Sequence, residues 1–399
     1  MDILFLTNLY PKENEKEVRS KMSVDMNDAA IALQWNLVNG IDAHCGGKLT
    51  LVNRLPVFSF PKHYPEAFVK GFHFAHKEGA DDINPGFCNI TGIKQYTGKK
   101  PFIKQVMKNI KDNNDSVILM YSLHPVFLEA AKKVKKKRLH VKIFAIVADL
   151  PQFSSDLSGN IITRTFKNSH LKHINSLIGE IDGFILLTDQ MAAKLEITVP
   201  YIVMEGIAPT RVSLPSKENG DGKVRLLYTG SMNSQYGICI LLEAFAKTDN
   251  EDLELHLCGL GNAEEKVKEY AERDNRIVFH GKVPHGEVLK LQAEADILIN
   301  PRQNTEEFTK YSFPSKNIEY LSSGKPLVAY KLDGIPDEYD NYIVYPESNT
   351  PEELARVLEY LAAMGAAERR AIGDKAKRFV DEEKNYLAQT KKILNFMAK

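Results

Sequence analysis

Residues 313–330 (FPSKNIEYLSSGKPLVAY) contain side chains suited to binding a phosphate. Pro314 and Ser315 favour the start of a helix, where unpaired backbone N–H groups attract an anion. Lys316 then places a cation in the first turn, which a helix does not favour for its own stability. Glu319 follows one turn later, between apolar residues that predict a mostly buried helix. A bound phosphate explains the lysine, so we expect a nucleotide site at this helix start.

Other candidate residues follow predicted strands. Arg302 comes directly after an apolar strand and its proline, and a guanidinium suits bidentate contact with phosphate, whereas lysine acts as a point charge. Gly230 follows another strand, and the absence of a side chain lets the backbone N–H groups of Gly230 and Ser231 approach a phosphate closely. For Arg302 the structural alternative is a salt bridge to Glu306 or Glu307.

Short apolar runs alternate with helical stretches along the chain, which predicts parallel sheets covered by helices. In the first half the runs are Ile3–Thr7, Ser116–Tyr121, Val141–Val147, Gly183–Leu187 and Tyr201–Met204. In the second half they are Arg225–Tyr228, Leu253–Cys258, Arg276–Phe279, Asp296–Asn300, Pro326–Tyr330 and Tyr342–Val344. Ligands bind outside the carboxyl ends of parallel strands, so functional residues are expected in the loops that follow these runs.

The length of 399 residues exceeds the usual size of a single core, so two domains are expected. The stretch 213–223 (SLPSKENGDGK) is rich in Ser, Gly, Pro and charged residues, which is typical of a linker. We therefore predict an N-terminal domain over residues 1–212 and a C-terminal domain over residues 224–374.

The composition excludes several classes of protein. Lys and Arg together number 52, as do Asp and Glu, and the apolar fraction of 43% is ordinary, which argues against a nucleic-acid partner and against disorder. The start of the chain is too short an apolar run for a signal peptide, and no run of about eighteen apolar residues occurs. The cysteines have no paired spacing, so neither zinc nor a disulfide framework is expected, which fits a reducing cytoplasm: Cys45, Cys88, Cys239 and Cys258.

Four segments together resemble the donor-binding domain of glycosyltransferase family 4 type enzymes of GT-B architecture, and within them a bacterial polysaccharide-assembly branch with a Ser-Phe-Pro-Ser-Lys loop. The segments are Leu226–Phe245 (LLYTGSMNSQYGICILLEAF), Leu255–Gly261 (LHLCGLG), Arg276–Arg302 and the loop and helix around Lys316. The similarity covers residues 220–365 specifically and the N-terminal half loosely.

That resemblance implies an α/β protein of GT-B fold, with two Rossmann-like domains whose parallel sheets face a central cleft. The N-terminal domain is then expected to bind the acceptor and the C-terminal domain the nucleotide sugar. It also implies that a C-terminal helix, at about residues 375–399, packs back onto the N-terminal domain.

The resemblance further implies roles for individual residues. Glu319 is similar to the second glutamate of the family's paired-glutamate motif, whose carboxylate accepts hydrogen bonds from the ribose hydroxyls of the nucleotide. Tyr311 stands where the first glutamate is expected, and Glu307 is our choice for contacting the transferred sugar. Ser231 and Tyr236 occupy the places of the arginine and lysine that usually neutralise the diphosphate.

Lys316 and Arg302 are then the available cations for the diphosphate, and Ser315 adds to the donor site. No Asp-x-Asp motif occurs in the sequence, so a metal ion is not expected. In the N-terminal half, His124 follows a strand at a position where the family carries a histidine that reaches the donor sugar; capping the next helix is the alternative. Asp149 follows another strand and is a candidate for binding acceptor hydroxyls, with an N-cap role as its alternative.

The stretch from Lys94 to Arg138 carries twelve Lys or Arg residues and three acidic ones. Basic residues near an anionic membrane contribute on the order of 1 kcal/mol each, so this stretch predicts a membrane-facing surface. A solvated helix end, where cations are favoured, is the alternative.

The sequence thus predicts a retaining, metal-independent glycosyltransferase, cytoplasmic or attached to the inner face of the cell membrane. It is expected to move a hexose-type sugar from a nucleoside diphosphate sugar, first of all a UDP-sugar, to a hydroxyl of a glycan or lipid-linked glycan, with no cofactor besides the donor. Two alternatives remain open: a nucleotide-sugar epimerase of GT-B fold, and a non-catalytic nucleotide-sugar-binding partner. The residues at 231, 236 and 311 are the argument for the alternatives.

Overall fold

The computed structural model describes the chain outside residues 25–27, 92, 112–114, 138–139, 153–160 and 210–219, and outside the side chains of residues 28, 95, 161–167, 170 and 285. The described residues form two compact units, Met1–Glu205 with Tyr386–Lys399, and Gly206–Asn385. Most of the predicted linker 213–223 lies outside the described residues.

The first unit alternates strands with helices over much of its length, as the sequence predicts, but five strands between residues 49 and 88 follow one another without a helix. Its elements are β1 (Asp2–Thr7), α1 (Glu15–Ser20), α2 (Asp28–His44), β2 (Leu49–Asn53), β3 (Phe68–Val69), β4 (Phe72–Phe74), β5 (Asp82–Asn84), β6 (Phe87–Cys88), α3 (Lys94–Thr97), α4 (Lys99–Asn109), β7 (Ser116–Tyr121), α5 (Pro125–Lys137), β8 (Lys142–Val147), α6 (Ile161–Ile178), β9 (Gly183–Leu186), α7 (Gln190–Lys194) and β10 (Tyr201–Val203).

The second unit repeats the alternation. Its elements are β11 (Val224–Thr229), α8 (Ile238–Phe245), β12 (Leu253–Cys258), α9 (Glu264–Arg273), β13 (Ile277–Gly281), α10 (His285–Glu294), β14 (Ile297–Asn300), α11 (Ser315–Leu321), β15 (Leu327–Ala329), α12 (Pro351–Ala363) and α13 (Ala366–Glu383), after which α14 (Tyr386–Met397) belongs to the first unit. The predicted strand Tyr342–Val344 does not form, because Val344 makes only a single bridge to Val328.

Each unit is built on a largely parallel sheet. The first sheet has the order β10-β9-β8-β7-β1-β2-β5-β4, in which only β4 is antiparallel to its neighbour, and β3 pairs with β6 in a separate small sheet. The second has the order β13-β12-β11-β14-β15 and is wholly parallel. The strand order reverses between β1 and β7 in the first sheet and between β11 and β14 in the second, and ligands bind at such points, outside the carboxyl ends of the strands.

Both faces of the second sheet are covered, which explains why its strands read as continuous apolar runs. Leu226 and Tyr228 of β11 belong to one apolar cluster with residues of α8, α9 and α12. Leu227 between them belongs to a second cluster with residues of α11 and α13. The sheet therefore holds α11 on one face, with its first turn near the carboxyl edge.

The last two helices belong to different units. In α13, Ala376, Phe379 and Val380 lie in the apolar cluster of α11, so this helix stays with the second unit, although the sequence predicts a return at about residue 375. The helix α14 packs against α2, where Gly40 leaves room for Thr390. Among the described residues, no helix combines the length and the apolar character that crossing a bilayer requires.

Candidate functional site

The candidate site lies where β11 and β14 end side by side in the second unit. The loops that follow these two strands are in close contact at Gly237 and Pro301. A Cβ on Gly237 would overlap the carbonyl group of Pro301. The backbone of Gly237 is left-handed, with φ of +83°, so glycine satisfies both the conformation and the space. The two loops together form the edge at which a parallel sheet of this order binds its ligand.

Gly230 and Gly259 let the loops after β11 and β12 approach each other. Their φ angles are +152° and +141°, which L-residues rarely adopt, and a Cβ on Gly259 would overlap the carbonyl oxygen of Gly230. The N–H of Gly230 donates to the carbonyl oxygen of Cys258 at 2.9 Å, which fixes the start of the loop. The close approach of these two loops thus depends on glycine at both positions.

Lys316 and Glu319 form an ion pair on α11, with 3.2 Å between Nζ and Oε2. The Lys316 ammonium also lies 3.4 Å from the hydroxyl oxygen of Thr229, and Nε2 of Gln292 donates to Oε1 of Glu319 at 2.9 Å. The side chain of Lys316 is 36% exposed and that of Glu319 is 20% exposed. Both charged groups are therefore ordered at the end of β11 while remaining accessible to a ligand.

The helix α11 begins at Ser315, as expected, and spans seven residues. Ser315 is exposed, whereas Ile318, Tyr320 and Leu321 are buried. The helix ends before Gly324, which has a φ of +78° and lies two residues beyond the C-cap. The structure thus places Lys316 beside Gly230, with Ser315 and Glu319 on the same short helix.

Tyr320 is fully buried and anchors α11 to β11. Its hydroxyl oxygen accepts a hydrogen bond from the N–H of Thr229 at 2.8 Å and lies 3.1 Å from the Thr229 carbonyl oxygen. Burial raises the pKa of the Tyr320 phenol well above its usual range, so the hydroxyl keeps its proton and can donate to that carbonyl.

Arg302 lies on the loop that follows β14, two residues after the end of the strand. Its guanidinium carbon is 4.7 Å from the centroid of the Phe308 ring and 5.6 Å from that of Tyr236. Its Nη2 donates to the hydroxyl oxygen of Ser312 at 3.0 Å. Aromatic faces attract the cation, so these rings hold the guanidinium in a partly buried position.

The charge of Arg302 has no carboxylate partner within the part of the chain that the structure describes, and its buried Nε has no hydrogen-bond acceptor there. Glu306 and Glu307 are exposed, and neither forms the salt bridge that was the structural alternative. Burial lowers the pKa of the Arg302 guanidinium, since taking a charge out of water disfavours it. A cation in this state is suited to receive an anionic ligand.

A second polar group at this edge also has spare bonding capacity. Asn317 of α11 is fully buried, and its Oδ1 accepts from Nδ2 of Asn300 at 2.6 Å. Its own Nδ2 has no acceptor among the described residues. The pair lies between the end of β14 and the first turn of α11.

The remaining candidates of the second unit lie on the loops around this edge. Ser231 is exposed, and its carbonyl oxygen accepts a hydrogen bond from the Tyr228 hydroxyl at 2.8 Å, which holds the loop after Gly230. Glu307 begins a short 3-10 helix that ends at Tyr311. The ring of Tyr236 contacts Arg302, so this residue positions the cation at the site instead of supplying one.

Two candidates lie in the first unit. His124 precedes α5, and its Nδ1 accepts a hydrogen bond from the N–H of Val126 at 3.2 Å, which is the geometry of a helix cap. Its ring also packs on Phe127, with 5.1 Å between centroids. Asp149 follows β8 and is exposed, and partial desolvation raises the pKa of its carboxyl group. Pro151 and Gln152, which an N-cap at Asp149 would precede, form a turn, and residues 153–160 lie outside the described residues.

No group of three or more His, Cys, Asp or Glu side chains able to hold a metal ion occurs in the described parts of the chain. Sequence reasoning missed three side chains of the site, Thr229, Gln292 and Tyr320. Thr229 could have been found as the polar end of the apolar run LLYT just before a glycine. In the sequence, Tyr320 cannot be distinguished from the other apolar residues of its helix. No sequence pattern marks Gln292 on α10 as a site residue.

One comparison with known proteins covers the region of this site. Residues 223–364 match the model of the family described as glycosyl transferases group 1. This range contains Gly230, Arg302, Lys316 and Glu319 and lies within the second unit. Among curated proteins, none matches the sequence.

Solved structures of glycosyltransferases share the fold along the whole chain. Sucrose-phosphate synthase from Thermosynechococcus elongatus has a TM-score of 0.63 at 14% identity, covering 100% of this chain and 98% of its own. The lipopolysaccharide outer core galactosyltransferase WaaB in its apo form has a TM-score of 0.62 at 16% identity, covering 100% and 99%. HepE of Anabaena in complex with UDP has a TM-score of 0.58 at 14% identity, covering 100% of both chains.

At these identities the likeness shows the fold, and the GT-B class predicted from the sequence is confirmed. The assignment to family 4 and to a polysaccharide-assembly branch stays a prediction.

Proposed function

We propose that this chain, whose residues 223–364 form a glycosyl transferases group 1 domain, transfers a sugar from a nucleoside diphosphate sugar to a hydroxyl acceptor. The observation that carries the proposal is Arg302, a partly buried cation at the carboxyl edge of the sheet that pairs with no carboxylate in the described part of the chain. A buried charge is stable only when it is compensated, and a diphosphate supplies that compensation.

Lys316 provides the second positive charge. Its ammonium lies 3.4 Å from the Thr229 hydroxyl, and a Cβ on Gly230 would come within 3.8 Å of its Cε, so the amine is next to the loop that approaches the phosphates. The pair with Glu319 is partly exposed and contributes only about 0–1 kcal/mol. Lys316 can therefore turn from the carboxylate to a phosphate oxygen at little cost in free energy.

Glu319 binds the ribose of the donor in this proposal. Its carboxylate is bound by Lys316 and Gln292 and is 20% exposed, so it is accessible to a ligand, and ribose hydroxyls are donors that a carboxylate binds well. Gly230, Ser231 and Ser315 line the donor site, and Glu307 contacts the transferred sugar. HepE, a structural neighbour, is in complex with UDP, which supports a UDP-sugar as donor.

In the reaction the bond between the anomeric carbon and the diphosphate oxygen breaks, and a bond from that carbon to the acceptor oxygen forms. The transition state resembles an oxocarbenium ion, and negative charge grows on the leaving diphosphate. Arg302 and Lys316 stabilise that charge, which is the main catalytic effect we propose. Attack occurs on the face from which the diphosphate leaves, with retention of configuration, and the departing phosphate accepts the proton of the acceptor hydroxyl.

The acceptor is bound by the first unit, where Asp149 accepts from its hydroxyls and His124 contacts the donor sugar. A glycan or lipid-linked glycan is the acceptor we propose, at the cytoplasmic face of the membrane. The exposed carboxylate of Asp149 supports the first role. The capping bond of His124 uses Nδ1.

The test is the release of nucleoside diphosphate from UDP-, GDP- and dTDP-sugars, with and without an extract of lipid-linked acceptors. We expect acceptor-dependent release from one donor, lost in Glu319→Ala and kept in Glu269→Ala, a control on the exposed face of α9. Conversion of the donor without acceptor would favour an epimerase. Binding without release would favour a non-catalytic partner.

The basic stretch supports a membrane-facing surface on α4. Lys100, Lys104 and Lys108 recur every four residues and are all exposed, so they form one stripe along the helix. Other lysines of the stretch are held by carboxylates, namely Lys99 by Glu129, Lys111 by Asp2 and Lys135 by Asp182.

Exposed apolar side chains lie in and beside the segment that leads into this helix. They are Phe68 at 66%, Ile90 at 36%, Ile93 at 45% and Tyr96 at 64% exposure. A basic stripe beside apolar side chains suits a bilayer with anionic headgroups.

Co-sedimentation with vesicles tests this surface. We expect binding to vesicles of phosphatidylglycerol and phosphatidylcholine that is lost when Lys100, Lys104 and Lys108 are changed together to Glu. The matched control is Lys391→Glu with Lys392→Glu, two exposed lysines of α14. Equal binding of both variants would contradict the assignment.

A further inference from the structure

Two cations, Arg54 and Lys94, lie close together in the first unit, outside the site described above. Arg54 directly follows β2 and is 6% exposed, and Lys94 begins α3 and is partly buried. Both lie over the ring of Phe87, with the guanidinium carbon 4.8 Å and the ammonium 5.8 Å from its centroid.

The described part of the protein compensates little of the positive charge of Arg54 and Lys94. Within the described ranges, neither side chain forms an ion pair; Arg54 makes one side-chain hydrogen bond, from Nη2 to the Lys94 carbonyl oxygen at 3.4 Å, and Lys94 donates to the carbonyl oxygen of Val57. Desolvation lowers the pKa of Arg54 to about 10. A buried cation beside a partly buried one, with no carboxylate paired to either in the described ranges, is unfavourable unless an anion joins them.

The surroundings hold the guanidinium in place. The N–H of Arg54 donates to the carbonyl oxygen of Thr7 at 2.8 Å, so its backbone continues the pairing of β2 with β1. Gly98 packs against Nη1, where a larger residue would meet the guanidinium. The N–H of the next residue, Leu55, donates to Oδ1 of the buried Asn84 at 2.8 Å. A fixed arginine fork and a nearby lysine offer the geometry that binds a phosphoryl group.

We propose that Arg54 and Lys94 form a phosphoryl-binding site in the first unit, and that the acceptor of the transfer carries a phosphate or diphosphate group. The second half of this inference rests on the proposed function, in which the first unit binds the acceptor. The location supports it, since Arg54 follows the carboxyl end of β2, beside the point at which the strand order of the sheet reverses. A pair of positive charges matches a dianion better than a single carboxylate.

The probe is inorganic pyrophosphate, titrated calorimetrically into the full chain in the presence of saturating UDP, so that the site of the second unit is filled. We expect one remaining binding event in the unmodified protein. We expect it to weaken by about tenfold or more in Arg54→Gln and in Lys94→Gln, as loss of one charge-assisted contact predicts. Lys391→Gln, an exposed cation on α14 of the same unit, is the control and should bind as before.

Absence of this event in the unmodified protein at millimolar pyrophosphate, or equal affinity in all three variants, would overturn the proposal. Circular dichroism checks folding, and Lys94→Gln serves if Arg54→Gln does not fold. Failure of UDP to bind would count against the proposed function and leave the pyrophosphate result interpretable.

A second arm distinguishes the source of the phosphate. Vesicles of phosphatidic acid that compete with pyrophosphate for the unmodified protein, but not for Lys94→Gln, indicate a lipid headgroup. A pyrophosphate titration unchanged by these vesicles indicates a soluble phosphorylated compound.

Discussion

The backbone N–H of Thr229 donates a hydrogen bond to the phenol oxygen of Tyr320 at 2.8 Å. Thr229 is the last residue of β11, and Tyr320 is on α11, so one buried side chain fixes the spacing between the strand end and the helix. That helix carries Lys316 and Glu319. The position of both charged groups relative to Gly230 therefore depends on a hydroxyl that is far from solvent.

Tyr320→Phe is expected to lower the free energy of unfolding by about 1–3 kcal/mol, because it leaves the buried N–H of Thr229 without a partner. The affinity for UDP should fall as well, since α11 loses its tie to β11. Urea unfolding and calorimetry measure the two effects. Tyr360→Phe, on the exposed face of α12, is the control and should change neither. Unchanged stability of Tyr320→Phe would show that this hydrogen bond makes no net contribution to the free energy of unfolding.

Lys316→Ala is expected to reduce turnover by about two orders of magnitude or more, as loss of one stabilising contact to a developing anion does. Folding should stay intact, because the ion pair with Glu319 is partly exposed and weak. Release of nucleoside diphosphate measures turnover, and Lys290→Ala on α10 is the control. Undiminished turnover would rule out the proposed role of this lysine.

Arg302→Gln separates a ligand role from a structural one. Without ligand, the variant should be as stable as the unmodified protein or more stable, because a partly buried cation without a carboxylate partner in the described structure is removed. The affinity for UDP should fall by about tenfold or more. Arg302→Lys keeps the positive charge but loses the planar guanidinium. Its affinity for UDP should lie between those of Arg302→Gln and the unmodified protein. A loss of stability with full UDP affinity would assign Arg302 to the fold.

Lys94 predicts a pH dependence of stability in the unliganded protein. Desolvation, together with the charge of Arg54, lowers the pKa of Lys94 to about 8 from its usual 10.5, beside the Phe87 ring and the Val57 carbonyl oxygen. Between these pH values the unfolded chain binds more protons than the folded one, so this lysine makes the free energy of unfolding rise with pH. Below pH 8 both states are protonated and its contribution is constant and unfavourable.

The measurement is urea unfolding from pH 7 to pH 10 in the unmodified protein and in Lys94→Met. We expect the difference in the free energy of unfolding between the two proteins to change over this range. Lys94→Met should be most stabilised, relative to the unmodified protein, at pH 7. Bound pyrophosphate should remove the difference, because an anion stabilises the ammonium. Parallel curves would show that the lysine titrates as it does in water.

Much of the architecture is encoded in short apolar runs. The strands Ser116–Tyr121 and Leu253–Cys258 have the predicted limits, because continuous apolar residues bounded by polar ones suit a sheet covered on both faces. Strand β2 was not predicted, although all five of its residues are buried, because LTLVN is short and contains polar residues. The role of the polar residues becomes visible only in the fold. There Asn53 accepts hydrogen bonds from the Thr7 hydroxyl and the N–H of Leu9.

Some residues of the candidate site could likewise be predicted from the sequence, and others could not. Lys316, Glu319 and Ser315 could be predicted together because they lie within one turn or two of a helix whose start signals are local. The contacts of Gln292 with Glu319, and of Tyr236 with Arg302, join residues 27 and 66 positions apart. No periodicity or motif reports such pairs, so the compensation around each charged group becomes visible only in the fold.

The return of α14 to the first unit has a consequence for synthesis on the ribosome. Residues Gly206–Asn385 are contiguous and can fold as soon as they emerge, whereas the face of α2 around Gly40 waits for Thr390. The part of the protein that is made first is therefore the last to be completed. Until then the exposed surface of α2 is available to chaperones, and a ribosome that stalls between residues 206 and 385 leaves the first unit without its final helix.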